Sequence, residues 1–141
     1  MDANENPLIS LASAQQLPRI SVFLESFFEQ RLLLRRSTDE LGKLAENGFA
    51  AFEDDECVGF AAIEIYSRKL AEIQCLAVAE TQRGRGLGRQ LVERCVERAR
   101  ELGVMEVMAI SSSDSFLQSC GFDYSLPDQK RALFYQLRPR D

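Results

Sequence analysis

One stretch of the chain, residues 72–101, constrains the fold more than any other. It begins with an apolar run at 73–79, continues through a glycine and arginine loop at 83–89, and ends in an amphipathic segment. The run predicts a strand, and apolar residues recurring every three or four positions predict a helix. The apolar face of this predicted helix comprises Leu87, Leu91, Val92, Cys95, Val96, Ala99 and Leu102. Because unpaired N–H groups and the positive helix end meet at the loop, the stretch predicts a phosphate site.

The spacing of the glycines excludes two common phosphate-binding loops. The P-loop string Gly-x4-Gly-Lys-Ser/Thr does not occur in the sequence. Gly84 and Gly86 begin the dinucleotide fingerprint Gly-x-Gly-x-x-Gly, but position 89 is arginine. The acidic residue expected about 20 residues further on would be near Glu106, inside an apolar strand-like run. What is left is Arg83-x-x-Gly86-x-Gly88 directly after a strand.

This string resembles the pyrophosphate loop of the GNAT N-acetyltransferases, which bind acetyl-CoA as cosubstrate. The resemblance implies that the loop amides and Arg83 hold the CoA diphosphate. The other loop positions are Gly84, Arg85, Gly86, Leu87, Gly88 and Arg89. The resemblance also implies that backbone groups at the end of the preceding strand form hydrogen bonds with the thioester carbonyl. These groups belong to Leu76, Ala77 and Val78. A glycine-rich turn with solvated arginines is the alternative interpretation.

Composition limits the classes of protein. A chain of 141 residues that is 45% hydrophobic suits one globular domain, 1–141, with tails at 1–7 and 138–141. Its net charge of −5 argues against non-specific nucleic-acid binding. The N-terminus does not resemble a signal peptide, and no apolar run approaches the ~20 residues of a membrane span. We expect a cytoplasmic protein, monomeric or homodimeric, that binds neither nucleic acid nor membrane.

The sequence contains no histidine, which excludes a Cys/His zinc site and a Ser-His-Asp or Cys-His catalytic centre. The four cysteines lack CxxC spacing, so we expect no metal. Cys75 and Cys95 lie within apolar periodic runs and are expected to be buried free thiols.

The order of the remaining predicted elements is also similar to that of the GNAT fold, over about 8–137. Helices are predicted at 17–30, 37–46, after the glycine loop, and at 115–120. Strands are predicted at 8–11, 49–52, 57–66, 71–79, 104–110, 122–124 and 131–137. The resemblance implies one α/β domain with a mixed central sheet of six to seven strands, splayed central strands and about four flanking helices.

Acetyl transfer to an amine requires a base, and Glu72 is the first candidate. It lies 14 residues before Gly86, where histone-acetylating members of the superfamily carry a general-base glutamate. A partly desolvated carboxylate there could accept the ammonium proton, directly or through water. An exposed glutamate at a strand end is the alternative interpretation, and Glu64 is the second candidate.

The tyrosine that many family members use as general acid is missing. It lies four residues before the glycine of a Gly-Phe pair, and the matching position here is Leu117. Leu117 is expected to pack against pantetheine. Tyr124, Ser113 and Ser115 are possible substitutes, and the thiolate could also leave unassisted or take its proton from water.

Two further strings, at 66–78 and 33–41, are similar to the acetyltransferase domain of N-acetylglutamate synthases. In that family an arginine of the second string binds the α-carboxylate of glutamate, as a planar guanidinium can. Arg36 matches the position of this arginine best, and Arg35 is the next candidate. The alternative interpretation is that both belong to a solvated basic connector between helices. The family's threonine-rich turn appears here with hydroxyls at Ser111 and Ser113, which are expected at the substrate and the cofactor. Asp114 departs from that turn and would repel an acidic substrate or select an amine.

These resemblances together imply an acetyl-CoA-dependent N-acetyltransferase of amino-acid metabolism. The acceptor would be the primary amine of a small molecule, with an amino acid such as glutamate as the leading candidate, attacking directly in a ternary complex. Two alternatives stay open. One is a protein or peptide N-acetyltransferase, and the other is a non-catalytic acyl-CoA-binding sensor domain.

Overall fold

The computed structural model describes residues 7–111, 114–125 and 133–139. The strands are β1 Ile9–Leu11, β2 Gly48–Glu53, β3 Glu56–Ile65, β4 Leu70–Val78 and β5 Glu106–Met108. The helices are α1 Leu17–Glu29, α2 Thr38–Ala45, α3 Leu87–Glu101 and α4 Asp114–Ser119. The chain divides into one compact unit up to Ala109, which holds the sheet and α1–α3, and a second from Ile110, which holds α4. The assignment of 1–141 as one domain stays a prediction.

The five strands form one mixed sheet in the order β1-β2-β3-β4-β5. Successive strands pair antiparallel from β1 to β4, whereas β4 and β5 pair parallel because α3 carries the chain back between them. Adjacent residues of β3 face opposite layers. Phe60 packs with the core residues of α1 and α2, and a side chain at Gly59 would meet Leu87 and Leu91 of α3. The sheet therefore lies between α1 and α2 on one face and α3 on the other.

Strands β4 and β5 are paired over only three residues, and the predicted splay of the central strands stays a prediction. Their register begins at Leu70↔Glu106 and ends at Glu72↔Met108, while β4 continues to Val78. On its other side β4 contains a bulge, because Phe60 pairs with Ala77 but Ala62 pairs with Gln74. Cys75 lies in this bulge with φ of +57°, a region that non-glycine residues seldom adopt.

The predicted number of strands, six to seven, is wrong for the described residues. Residues 122–124 form no strand, because the backbone after α4 ends the helix instead of joining a ladder. Phe122 N–H donates to Leu117 O, and Gly121 N–H donates to Gln118 O, both at 3.0 Å. Residues 133–137 also form no strand, and Leu133 and Tyr135 are exposed. The rest of the expected last strand lies outside the described residues.

Helices α1 and α2 form where they were predicted, and their ends define the connector between them. Pro18 occupies the first turn of α1. Ser37 Oγ accepts from Glu40 N–H at 3.1 Å, and Glu40 Oε1 accepts from Ser37 N–H at 2.9 Å, which is the predicted capping box. The connector therefore ends at a fixed point, directly after Arg36. Cys75 and Cys95 are buried and free, as predicted.

Candidate active site

The glycine loop joins β4 to α3 in a conformation that only glycine adopts readily. Gly84 and Gly86 have φ of +80° and +83°, and the positions of their missing Cβ atoms have open space for 4 Å. Gly86 is the N-cap of α3, and no side chain caps the helix there. The first helical bond runs from Gln90 N–H to Gly86 O. The amides of the first helical turn thus have no partner within the helix, as an anion site requires.

Both sides of the loop are anchored in the core. Gln82 is buried just before it, and its Nε2 donates to Glu53 Oε2 at 3.0 Å. Leu87, the first residue of α3, is buried and approaches Gly59 of β3. Between Gln82 and Leu87 all four residues, 83–86, are exposed, and Arg89 beyond Leu87 is exposed as well. An accessible backbone surrounded by positive charge fits the diphosphate of a nucleotide cosubstrate.

The end of β4 combines a core side chain with an open backbone edge. Ala77 is buried in the core, and Leu76 and Val78 are half-buried. On the side of β5, pairing in the described residues stops at Glu72. On that side the backbone groups of these three residues have no partner in β5, which ends at Met108. Their predicted role stays a prediction.

Five polar side chains, which we call the polar cluster, lie together on the α1–α2 face of the sheet. They are Arg36, Glu64, Tyr66, Glu72 and Gln74. Tyr66 Oη donates to Glu72 Oε1 at 2.5 Å, and Arg36 Nη2 donates to Gln74 Oε1 at 2.7 Å. Gln74 Nε2 donates over 3.4 Å to both Glu64 Oε1 and Tyr66 Oη. Both candidate bases, Glu64 and Glu72, are thus connected to Arg36 by hydrogen bonds. From the sequence these three residues were separate candidates.

Sequence reasoning missed Gln74 and the role of Tyr66. The alternation of side chains along each strand could have revealed both residues. Residues 64 and 66 share one face of their strand, and residues 72 and 74 share one face of the next, and all four are polar. Glu64 and Glu72 are direct cross-strand partners. The pKa of Tyr66 is raised to about 12, first by partial burial and then by the hydrogen bond and negative charge of Glu72.

The two candidate arginines of the connector have different environments. The side chain of Arg36 is 16% exposed, and its Nε is buried without a hydrogen-bond partner. Its Nη1 lies 3.9 Å from Glu40 Oε2. Arg35 instead pairs with Glu25 of α1 at 2.9 Å and stacks over the ring of Phe28. The hydrogen bond from Arg35 lowers the pKa of Glu25. Arg36 therefore belongs to the polar cluster, and Arg35 belongs to the surface of α1.

The remaining predicted site residues are in the second unit or outside the described residues. Leu117 of α4 is buried, and Ser111 and Ser115 are exposed. Tyr124 is half-buried. Ser113 lies outside the described residues. The predicted roles of these residues stay predictions.

Within residues 7–111, 114–125 and 133–139, no group of three or more Cys, Asp or Glu side chains is arranged to hold a metal ion. No helix in these ranges combines the length and the apolar character needed to cross a membrane.

Comparison with known proteins places the chain among acetyltransferases. Residues 11–122 match the family described as "Acetyltransferase (GNAT) family". The chain is 34% identical over 112 residues to an uncharacterized N-acetyltransferase of Chlorobaculum tepidum, covering 79% of this chain and 70% of the relative. It is 28% identical over 140 residues to an amino-acid acetyltransferase of Pasteurella multocida, covering 94% of this chain and 32% of the relative.

Solved structures share the fold. N-acetylglutamate synthase from Neisseria gonorrhoeae, complexed with coenzyme A and N-acetyl-glutamate, has a TM-score of 0.76 at 26% identity, covering 87% of this chain and 30% of that protein. Rv2747 from Mycobacterium tuberculosis, in a complex that includes CoA, has a TM-score of 0.73 at 24% identity, covering 82% of this chain and 70% of that one. The chain spans about a third of the length of the amino-acid acetyltransferases that it matches.

The mixed sheet with its flanking helices and the family match together define an α/β enzyme of acyl transfer. With a family match over most of its length and relatives named as acetyltransferases, the chain belongs to the GNAT family of N-acetyltransferases. The predicted family and enzyme class are confirmed, as is the similarity to N-acetylglutamate synthases.

Proposed function

We propose that this protein transfers the acetyl group of acetyl-CoA to the α-amino group of an amino acid, with glutamate as the leading candidate. The observation that carries the proposal is the presence of Arg36 and Glu72 in one polar cluster. The cation can attract a carboxylate, and the anion can attract an ammonium group. An amino acid presents both groups, and the relatives named amino-acid acetyltransferases support this acceptor class.

The glycine loop would hold the cosubstrate. Its open backbone at Gly84 and Gly86, the unbonded amides at the start of α3, and the positive helix end suit a diphosphate. Acetyl-CoA supplies the acetyl group as a thioester, whose carbonyl carbon bonds to the amine nitrogen as the C–S bond breaks. Amides near Ala77 would donate to the carbonyl oxygen as it gains negative charge.

Arg36 would orient the acceptor by its carboxylate. Gln74 accepts one guanidinium N–H, and the Arg36 side chain keeps 16% of its surface exposed. A guanidinium carries several N–H donors in a planar fork, so those not used by Gln74 could bind a carboxylate. A positive charge at this position favours an acceptor with a carboxylate over a simple amine.

Glu72 would take the proton that the attacking amine must lose. Its Oε1 accepts from Tyr66, and Oε2 is the oxygen left for the ammonium proton, directly or through one water. The adjacent carboxylate of Glu64 adds negative charge that favours the ammonium form on arrival. The departing thiolate would leave unassisted or take a proton from water. Tyr66 is unsuited to protonate it, because its pKa is about 12.

The test is release of the CoA thiol with a panel of acceptors. Glutamate, other amino acids, glutamate α-amide and lysine peptides are compared at saturating acetyl-CoA. The proposal expects turnover with a free α-amino acid and a marked loss with the α-amide. Turnover with peptides alone would favour protein acetylation instead. Calorimetric binding of CoA without turnover on any amine would favour a sensor domain.

A further inference from the structure

We infer that Tyr66 is a positioning residue that orients the carboxylate of Glu72 through a one-directional hydrogen-bond chain running from Arg36 through Gln74. The inference rests on the proposed function, since it assigns a task to Tyr66 only if Glu72 is the base. It adds two residues, Tyr66 and Gln74, to those that the reaction would require.

The polarity of the chain follows from its two ends. A guanidinium can only donate, so the Gln74 atom 2.7 Å from Arg36 must be the carbonyl oxygen. The amide NH₂ of Gln74 then faces the other way, 3.4 Å from Tyr66 Oη and from Glu64 Oε1. Because Tyr66 Oη accepts from this NH₂, its single proton is left for Glu72.

The other end imposes the same direction. An ionised carboxylate can only accept, and Glu72 Oε1 is 2.5 Å from Tyr66 Oη. A phenol that donates to an ionised carboxylate makes a charge-assisted O–H···O⁻ bond. The pKa of Tyr66, about 12, keeps the phenol protonated and able to donate throughout the neutral range.

This arrangement matters because Glu72 is a flexible side chain on a half-buried strand position. The hydrogen bond from Tyr66 to Oε1 restricts the carboxylate and leaves Oε2 for the acceptor. Gln74 contacts the phenol and is itself bonded to Arg36. The arginine proposed to bind the acceptor's carboxylate thus belongs to the same hydrogen-bonded network as the base proposed to deprotonate its amine.

A double-mutant cycle between Tyr66→Phe and Glu72→Gln tests the inference. Tyr66→Phe removes only the hydroxyl, so kcat should fall about 10-fold, the low end of the effect of one hydrogen bond to a charged group, with both KM values nearly unchanged. In the Glu72→Gln background the same change should cost less than about 2-fold, because the residue acts through Glu72. Tyr135→Phe is the matched control, since that phenol is 90% exposed.

Two outcomes would overturn the inference: an unchanged kcat in Tyr66→Phe, or equal losses in both backgrounds. If Glu72→Gln has no measurable rate, the kcat of Tyr66→Phe against Tyr135→Phe decides alone. A second readout does not need activity. The ¹³Cζ resonance of Tyr66, assigned by its absence in Tyr66→Phe, should shift in Glu72→Gln at neutral pH. No shift would mean that the two side chains do not interact.

The same data separate this inference from the proposed function. If Glu72→Gln turns over at the wild-type rate, Glu72 is not the base, and the proposed mechanism fails whatever the resonance does. If Glu72→Gln is slow but Tyr66→Phe is normal, the base stands and the positioning role fails.

Discussion

Replacement of Arg36 by glutamine tests the proposed carboxylate site directly. The guanidinium donates one N–H to Gln74, and the side chain keeps 16% of its surface exposed, so its other N–H groups could bind an anion. A hydrogen bond to a charged group contributes about 1.5–3 kcal/mol. Because the Arg36 side chain is only 16% exposed, water and salt screen that bond weakly. Arg36→Gln should therefore raise KM for the amino acid by about 10- to 150-fold.

The assay is the initial rate of thiol release at saturating acetyl-CoA, with the amino acid varied. Arg36→Lys keeps the charge but not the planar fork, so its KM should lie between those of wild type and Arg36→Gln. Arg35→Gln tests the neighbouring candidate. Since Arg35 is engaged by Glu25 on α1, its loss should change KM less than about 2-fold.

A matched substrate pair makes the result specific to the carboxylate. Wild type should prefer an amino acid to its α-amide, and Arg36→Gln should lose most of that preference. An Arg36→Gln protein that unfolds at the wild-type temperature and keeps both the wild-type KM and the preference would refute the assignment. A larger effect from Arg35→Gln would move the anchor to the other arginine.

Three further predictions concern the loop, the base and the thiols. Gly86→Ala should weaken CoA binding, measured by calorimetry. Gly103→Ala is the control, because Gly103 has a similar φ of +75° and equally open space around its Cβ position. Both substitutions should lower the free energy of unfolding by about 1 kcal/mol, but Gly103→Ala should leave the affinity for CoA unchanged. Glu72→Gln should lower kcat about 10²-fold with KM for acetyl-CoA unchanged; a wild-type rate across pH would remove it from the mechanism. Burial raises the pKa of Cys57 to about 11 and of Cys95 to about 12, so both should react with a disulfide reagent at pH 8 only after unfolding. Fast labelling of the native protein at either would contradict the buried placement.

Features that depend on nearby residues could be predicted from the sequence. The strand, loop and helix at 72–101 are each signalled by their own periodicity or glycine content, and the structure has them in that order. The capping box at Ser37 and Glu40 is local as well, since its two hydrogen bonds span three residues. Of the two strands expected after α4, neither forms over 122–124 or 133–137, the described residues, because a short apolar pattern does not reveal whether its backbone will end a helix or pair at a sheet edge.

In the candidate site, too, the features that depend on nearby residues could be predicted, and those that depend on distant residues could not. The sequence by itself determined the conformation of the glycine loop, because glycine readily adopts a φ near +80°, and it predicted phosphate binding from the consecutive backbone amides. It also identified Arg36 and Glu72 as candidates, but not their relation. Only the tertiary structure decided that Arg36 rather than Arg35 meets the sheet, and that Gln74 and Tyr66 link it to Glu72. Those contacts join the connector and two strands, and their hydrogen-bond polarity exists only once packing has brought the three segments together.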